Sequence, residues 1–257
     1  MRLLIIDCSA GVLAPAIAEA AGKLRPKPEA ISTMSVCLER LQLPEAKRMM
    51  QHLYMDHLIV IPPASIEHPA ATEHSNLFNN LLREVTRQVS ITSGKICLVS
   101  SVEVIGDATQ RTEAAIGMAY SDIGILLESA EGLIRITTDR HFILRFPYFT
   151  TNMLIGDWIG KANPSLQSVA WARRDIKFGL CHVEDVVKII VEQLQTGWFG
   201  TFNVTPNDYL QLSKLMNVQE GGRPEDMTLM SRYSWQMTPS QKLWDKLMKE
   251  HYGVPST

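Results

Sequence analysis

Four apolar runs of strand length alternate with amphipathic segments along the first half of the chain. The runs cover residues 3–6, 29–35, 57–61 and 95–99, and the second of them is the weakest. The segments between them have the apolar spacing of helices and cover residues 12–22, 44–53 and 70–89. Strands that alternate with helices pair in parallel, with right-handed crossovers. The pattern therefore predicts an α/β fold with a Rossmann-like, doubly wound parallel sheet.

The second half of the chain keeps this alternation more loosely. The pattern predicts a helix over residues 120–133, a strand over His141–Phe146, a helix that ends near Gln195 and a strand over residues 200–204. A last helix is predicted after Thr238, with a proline at its first position and Gly253 as its stop signal. We expect this last part to form a small lobe over one end of the sheet.

The composition favours one large domain, or one domain with a small lobe, around a full core. The chain has 257 residues, and its 27 acidic residues nearly balance its 25 basic residues. The sequence contains no run of lysines and arginines, so nothing indicates a nucleic acid or an anionic membrane as a partner. A small molecule or another protein is the expected partner.

Four cysteines lie far apart, mostly within apolar surroundings. They are Cys8, Cys37, Cys97 and Cys181. This spacing favours reduced, buried thiols over disulfides, and no pair has the spacing of metal ligands, so we expect no metal site. The first residues turn polar too soon for a signal peptide, and no apolar run reaches membrane length. We therefore expect a cytoplasmic protein without a membrane partner.

The segment from Lys95 to Asp107 carries the most informative motif. It reads Lys-Ile-Cys-Leu-Val-Ser-Ser-Val-Glu-Val-Ile-Gly-Asp, and Thr112-Glu113 and Tyr120 follow it. An apolar run that ends in two serines and a Gly-Asp turn is typical of a central parallel strand that opens into a polar loop. Ligands of open α/β sheets bind at that end of the strands.

This order of residues resembles the active-site strand of the extended short-chain dehydrogenase/reductases, the NAD-dependent sugar-nucleotide epimerase/dehydratase group. Further motifs of the group occur in the same order, namely Ile143-Leu144-Arg145, His182-Val183-Glu184-Asp185-Val186 and Phe202-Asn203-Val204. The resemblance implies a Rossmann core with NAD(P) as cofactor and a sugar nucleotide or related hydroxy-carbonyl compound as small-molecule substrate. It also implies that two copies can pair as a homodimer through two long helices.

The resemblance divides the chain into two parts. Residues 1–150 and 182–204 would form the Rossmann-like nucleotide-binding core, and residues 151–181 and 205–257 would form a small substrate lobe. The resemblance also implies that His182 and Asp185 cap a helix and hold the lobe.

Two hydroxyl groups take catalytic positions in this resemblance. Ser101 matches the Ser/Thr that hydrogen-bonds the reacting oxygen, and Tyr120 matches the tyrosine that moves its proton while hydride passes to or from nicotinamide. The lysine that lowers the pKa of such a tyrosine belongs four residues later, where this chain has Gly124. Glycine cannot stabilise a phenolate and gives a helix no evident benefit, so conventional Tyr-Lys redox chemistry is not expected. Glu128 matches a glutamate that is usual eight residues after the tyrosine.

Glu103 corresponds to half of an acid-base pair. In the dehydratases of this group the Ser/Thr is followed by Asp-Glu, and the same two places here hold Val102 and Glu103. Glu103 is then either a lone general base beside Ser101 and Tyr120 or a loop glutamate that faces solvent or an arginine. Arg145 leaves a similar choice between contact with a phosphate and pairing with a nearby carboxylate.

The first strand-to-helix turn keeps part of a dinucleotide fingerprint. The small residues of Gly-x-x-Gly-x-x-Gly/Ala permit a tight turn, close approach of a pyrophosphate, and helix-to-strand packing. The matching residues are Cys8, Gly11 and Ala14, and Asp7 adds negative charge near the pyrophosphate position. The predicted cofactor contacts are Cys8, Gly11, Val12, Leu13, Ala14 and Pro62. Because the second strand lacks a ribose-binding acid, NAD(P) binding and a turn without a ligand both stay open.

Three functions are compatible with these residues. The first is an atypical NAD(P)-dependent epimerase, dehydratase or reductase that uses Ser101 and Tyr120. The second is a non-redox enzyme in which Glu103, Tyr120 and Ser101 move protons in an elimination, isomerisation or cyclisation. The third is a catalytically inactive binding or regulatory subunit, which the residues at positions 8 and 124 favour.

Overall fold

The structure is a computed structural model, which describes residues 1–9, 11–37, 55–63, 71–105, 112–115, 119, 121–149, 176–197, 199–211, 214 and 225–252. Its helices are α1 (Leu13–Gly22), α2 (Ala71–Thr92), α3 (Asp122–Thr137), α4 (Val183–Gln195) and α5 (Ser240–Tyr252). Its strands are β1 (Arg2–Asp7), β2 (Ala30–Ser35), β3 (His57–Ile61), β4 (Lys95–Ser101), β5 (His141–Phe146), β6 (Tyr148–Phe149), β7 (Ile176–Phe178), β8 (Leu180–Cys181), β9 (Gly200–Asn203), β10 (Leu210–Gln211) and β11 (Glu225–Met227). A short 3-10 turn, Val102–Val104, follows β4.

The main sheet contains six parallel strands in the order β2-β1-β3-β4-β5-β9. The order reverses between β1 and β3, which makes the sheet doubly wound. Residues of β1, β3, β4 and β5 are almost entirely buried, as expected for strands that are covered on both faces. The structure therefore confirms the Rossmann-like parallel sheet that the apolar pattern predicts.

Each face of the main sheet is covered by a pair of helices. On one face α1 and α4 pack together over a core that includes Leu3, Ile5 and Phe142. On the other face α2 and α3 pack over a core that includes Leu4 and Ile6. Successive residues of β1 thus point into different cores, which is why the strand is apolar at both its odd-numbered and its even-numbered positions.

Several element boundaries differ from those that the sequence predicts. The strand β2 is weakly apolar because it lies at the edge of the sheet and is largely exposed. The helix α3 begins at Asp122 rather than at position 120, because the Ser121 side chain caps it, and it continues to Thr137. The helix predicted over residues 44–53 lies outside the described residues.

Two smaller sheets stand apart from the main one. The strands β10, β7 and β11 form one of them, and β6 pairs with β8 in the other. The helix α5, predicted after Thr238, begins at Ser240, whose buried hydroxyl accepts a 3.0 Å hydrogen bond from the N–H of Leu180. The division into core and lobe stays a prediction. In the described part of the chain, no helix combines the length and apolarity needed to cross a membrane.

Candidate functional site

The carboxyl ends of β1 and β3, here named the β1–β3 crevice, form the switch point of the main sheet. The chain leaves β1 toward β2 on one side and continues through β3 on the other, which creates the switch point where ligands bind in such sheets. Cys8, the first residue after β1, donates a 2.9 Å hydrogen bond from its N–H to the carbonyl oxygen of Ile61. The turn after β1 and Pro62, which follows β3, therefore lie side by side.

The side chains of Asp7 and Ser9 close the turn after β1. Asp7 is buried, and its Oδ1 accepts hydrogen bonds from the N–H of Ser9 (2.9 Å) and from the Ser9 hydroxyl (2.6 Å). The Ser9 Oγ in turn accepts a 3.1 Å hydrogen bond from the N–H of Gly11. Two backbone donors that a phosphate would use are thus already bonded within the turn.

Cys8 occupies the position of the first fingerprint glycine without straining the backbone. Among the non-glycine residues that the structure describes, only Ser93 has a positive φ, so Cys8 adopts a conformation open to any residue. Burial, reinforced by the Asp7 carboxylate, raises the pKa of the Cys8 thiol to about 12. The thiol stays protonated at neutral pH and is a poor nucleophile.

The helix α1 presents its amino end to the crevice. Val12 is its N-cap residue and is 52% exposed, and no side chain caps the helix there. The side chains of Leu13 and Ala14 are buried in the core, so these residues can offer a ligand only their backbone N–H groups. An uncapped helix amino terminus attracts phosphate. This end of α1 therefore offers backbone donors to an anionic group such as a pyrophosphate, although the Asp7 charge opposes its approach.

The carboxyl end of β4 is tied to the start of α3 by Glu103. Ser101 caps the 3-10 turn, because its Oγ accepts a 3.3 Å hydrogen bond from the N–H of Glu103. The Glu103 carboxylate accepts a short hydrogen bond from the Ser121 hydroxyl. The Ser121 Oγ accepts a 3.0 Å hydrogen bond from the N–H of Gly124 and thereby caps α3. Glu103 is therefore held by Ser121 rather than by an arginine or by bulk solvent.

Partial burial affects the acidity of Glu103. It raises the pKa of the carboxyl group above its usual value, and the hydrogen bond from Ser121 offsets only part of this effect. A carboxyl group with a raised pKa exchanges protons more readily near neutral pH than an exposed one does. Tyr120 lies outside the described residues, so its distance from Ser101 and Glu103 stays a prediction.

Gly124 lies against the backbone of the 3-10 turn. A Cβ atom added at this position would be 2.6 Å from the carbonyl oxygen of Glu103 and 2.9 Å from the Ser121 Oγ. The expectation that this glycine brings the helix no benefit is therefore wrong, because only glycine permits this close approach. The position at which the resemblance expects a lysine is filled by protein backbone.

Arg145 forms a buried ion pair with Glu131. The Nε and Nη2 atoms of Arg145 donate to the Glu131 carboxylate at 2.9 and 2.7 Å, and the Ser100 hydroxyl donates to it at 2.7 Å. All three side chains are almost fully buried. Of the two roles open to Arg145, the structure shows the pairing with a carboxylate.

Glu131, and not Glu128, is the buried glutamate of α3. Glu128 is only partly buried. The resemblance places a glutamate eight residues after Tyr120, at Glu128, and so does not identify Glu131. The signal that could find it is helical spacing, because Glu131 lies seven residues after Gly124 and so shares its inward face.

The segment 228–239 contacts the carboxyl end of β9 and the first turn of α4. Three side chains hold this segment. Glu113 accepts a 3.0 Å hydrogen bond from the N–H of Arg232, and Asp185 accepts a 2.8 Å hydrogen bond from the N–H of Thr238. The side-chain amide of Asn203 donates a 2.8 Å hydrogen bond to the carbonyl oxygen of Met230. His182 caps α4 by accepting a 3.3 Å hydrogen bond from the N–H of Glu184. His182 thus caps α4 and Asp185 holds this segment, whereas their role in holding a substrate lobe stays a prediction.

An open groove lies beside this segment and the amino ends of α4 and α5. Its volume is about 500 Å³, and it is lined by Asp185, Asn207, Lys242 and residues 234–239. The lining combines amide, hydroxyl and charged groups with the Trp235 and Met237 side chains. Within the part of the chain that the structure describes, no group of His, Cys, Asp or Glu side chains is arranged to hold a metal ion.

No family model and no curated protein matches the sequence. Among solved structures, the chain is similar to the dTDP-4-dehydrorhamnose reductase of Bacillus anthracis in complex with NADP. The TM-score is 0.68 and the identity 14%, over 97% of this chain and 99% of the other. The Bordetella bronchiseptica enzyme WbmG in complex with NAD and UDP gives a TM-score of 0.70 and 13% identity, over 98% of this chain and 95% of the other.

The UDP-N-acetylglucosamine 4-epimerase of Bacillus cereus is also similar. Its TM-score is 0.62 and its identity 14%, over 100% of this chain and 94% of the other. At such low identity these similarities establish the fold and no residue's role. The chain therefore has the fold of the epimerases, dehydratases and reductases whose motifs its sequence resembles, the extended short-chain dehydrogenase/reductases.

Proposed function

We propose that this protein binds NAD(P) in the β1–β3 crevice, together with a sugar nucleotide or related hydroxy-carbonyl compound, and does not perform Tyr-Lys hydride transfer. The observation that carries the second half of this proposal is the 2.6 Å approach at Gly124. No ammonium group at this position can stabilise a phenolate or hold a cofactor ribose. The result is an atypical member of the fold with a binding or regulatory role.

The amino end of α1 supports the cofactor assignment. The backbone N–H groups of Val12, Leu13 and Ala14 would hold the pyrophosphate, since no side chain caps this end. Gly11 and Pro62 would form the walls of the crevice. A bound nicotinamide would accept or donate hydride, and this chain lacks the lysine that usually assists that step. The similar structures contain NADP, NAD or UDP, which supports a nucleotide ligand in general.

Glu103 supports a second candidate, a non-redox proton-transfer enzyme. Its carboxyl group is partly buried, has a raised pKa, and lies at the end of β4 next to Ser101. Such a group can take and return a proton without any change in the oxidation state of a ligand. In this case Glu103→Gln would abolish turnover of a sugar nucleotide and leave its binding unchanged, whereas the binding or regulatory role predicts no turnover in either protein.

The proposal is tested by titrating the protein with NADH and NADPH and following the fluorescence of the nucleotide. We expect saturable binding, and no loss of NADPH absorbance when a panel of sugar nucleotides is added. Val12→Glu would place a carboxylate at the amino end of α1 and abolish binding. Ile136→Glu, an equal change at a residue of α3 that is 84% exposed, is the matched control. No binding at millimolar nucleotide, or substrate-dependent oxidation of NADPH, would overturn the proposal.

A further inference from the structure

We infer that Asp7 and Ser9 form an internal gate that weakens, without preventing, the binding of pyrophosphate-bearing nucleotides in the β1–β3 crevice. This inference rests on the proposed nucleotide site and concerns what sets its affinity. The gate consists of the Asp7 carboxylate, the Ser9 hydroxyl that it holds, and the Gly11 N–H that this hydroxyl occupies. We therefore expect a dinucleotide to bind here more weakly than the affinity for the uncharged nucleoside of the same base would predict.

The first part of the gate is competition for a donor. Gly11 is the fingerprint glycine that lets a pyrophosphate approach the backbone. A Cβ atom added at Gly11 would lie 3.1 Å from the Ser9 Oγ, so the space that the glycine leaves open is taken by the Ser9 hydroxyl. The Gly11 N–H already donates to this oxygen. A phosphate must displace the hydroxyl before it can use the same N–H.

The second part of the gate is charge. Asp7 is only 4% exposed, so water screens its carboxylate poorly. Its two hydrogen bonds to Ser9 fix the negative charge within the turn, next to the amino end of α1. The first turn of α1 contains no acidic side chain, so Asp7 supplies the repulsion in this turn. A pyrophosphate brings two negative charges toward it, and an adenosine brings none.

The test compares NADH, ADP-ribose and adenosine binding to the full chain and to three variants. Asp7→Asn keeps an oxygen that can accept both hydrogen bonds and removes the charge, and Ser9→Ala frees the Gly11 N–H. Glu19→Gln is the matched control, because Glu19 is an exposed residue of the same helix that bonds only Lys23 among the described contacts. Thermal unfolding of each protein confirms that it is folded.

We expect Asp7→Asn to lower the dissociation constants of NADH and ADP-ribose about tenfold. The constant for adenosine should stay unchanged. Ser9→Ala should act in the same direction more weakly, and Glu19→Gln should have no effect. Added salt should narrow the difference between Asp7→Asn and the unaltered protein, because it screens the repulsion. Equal affinities of the two proteins for ADP-ribose would overturn the gate alone. Absence of binding to every variant would overturn the nucleotide site as well.

Discussion

At the scale of single residues, Gly124 and Gly132 have opposite roles in one helix. A side chain at Gly124 would collide with the backbone of Glu103, whereas a Cβ atom at Gly132 would meet nothing within 4 Å. Glycine at position 132 therefore lowers the stability of the helix without any packing benefit. Glycine at position 124 is required for the close contact with the 3-10 turn. The absent lysine is thus linked to how the end of β4 packs.

Substitution of these two glycines by alanine separates the two roles. We expect Gly124→Ala to lower the free energy of unfolding by about 1–3 kcal/mol, because the added methyl group overpacks the contact with the 3-10 turn. Gly132→Ala should raise it by about 0.5–1 kcal/mol. Urea denaturation of the three proteins measures both changes. A Gly124→Ala protein as stable as the unaltered one would show that the turn yields easily and that a lysine could enter.

His57, at the amino end of β3, couples stability to pH. Burial, followed by the nearby charge of Lys95, lowers the pKa of its ring to about 4 in the folded protein. The unfolded chain takes up a proton on this ring below about pH 6.5, so it binds more protons than the folded protein between these two values. His57 therefore contributes stability that is present above pH 6.5 and is lost as the pH falls to 4.

The measurement is urea denaturation between pH 7 and pH 4 of the unaltered protein and of His57→Gln. We expect the unaltered protein to lose up to about 3 kcal/mol more than the variant across this range. Carboxyl groups that titrate in the same range are common to both proteins and cancel in the comparison. Parallel curves would mean that the His57 ring titrates normally in the folded state.

At the scale of elements, the pair formed by α3 and β5 depends on one buried charge pair. Glu131 of α3 holds both Arg145 of β5 and Ser100 of β4 through hydrogen bonds. It also bonds Arg135, one turn further along α3. A single carboxylate thus joins the helix to the two central strands, directly before Ser101.

Loss of this carboxylate leaves the Arg145 guanidinium buried without its counter-charge. We expect Glu131→Gln to lower the free energy of unfolding by about 3–5 kcal/mol. Glu128→Gln is the matched control on the same helix and should change it by less than about 0.5 kcal/mol, as partly exposed substitutions do. Chemical denaturation measures both. A small effect of Glu131→Gln would show that water replaces the carboxylate.

The sequence predicts best those elements whose environment is uniform. The strands β3 and β5 are buried along their length, so continuous apolar runs predict them with the observed bounds. The edge strand β2 is mostly exposed and gives only a weak signal. The contact at Gly124 could not be predicted, because it depends on a turn twenty residues earlier that folds against the helix. The gate likewise depends on the orientations of the Asp7 and Ser9 side chains, which cannot be deduced from the spacing of residues in the sequence.

At the scale of the whole molecule, the chain keeps the doubly wound parallel sheet and its switch point, and two turns at the carboxyl ends of the strands are filled by its own groups. The turn after β1 bonds its own donors through Asp7 and Ser9, and the turn after β4 fills the lysine position at Gly124. An open groove remains beside segment 228–239. We expect such a molecule to bind nucleotides more readily than it exchanges hydride with them.

The decisive measurement is a crystal structure of the protein grown with millimolar NADPH. We expect the pyrophosphate at the amino end of α1, with the carbonyl oxygen of Glu103 still packed against Gly124. A crevice without nucleotide would contradict nucleotide binding, and a bound nicotinamide whose ribose is held by a lysine, with the 3-10 turn moved away from α3, would contradict the loss of Tyr-Lys chemistry.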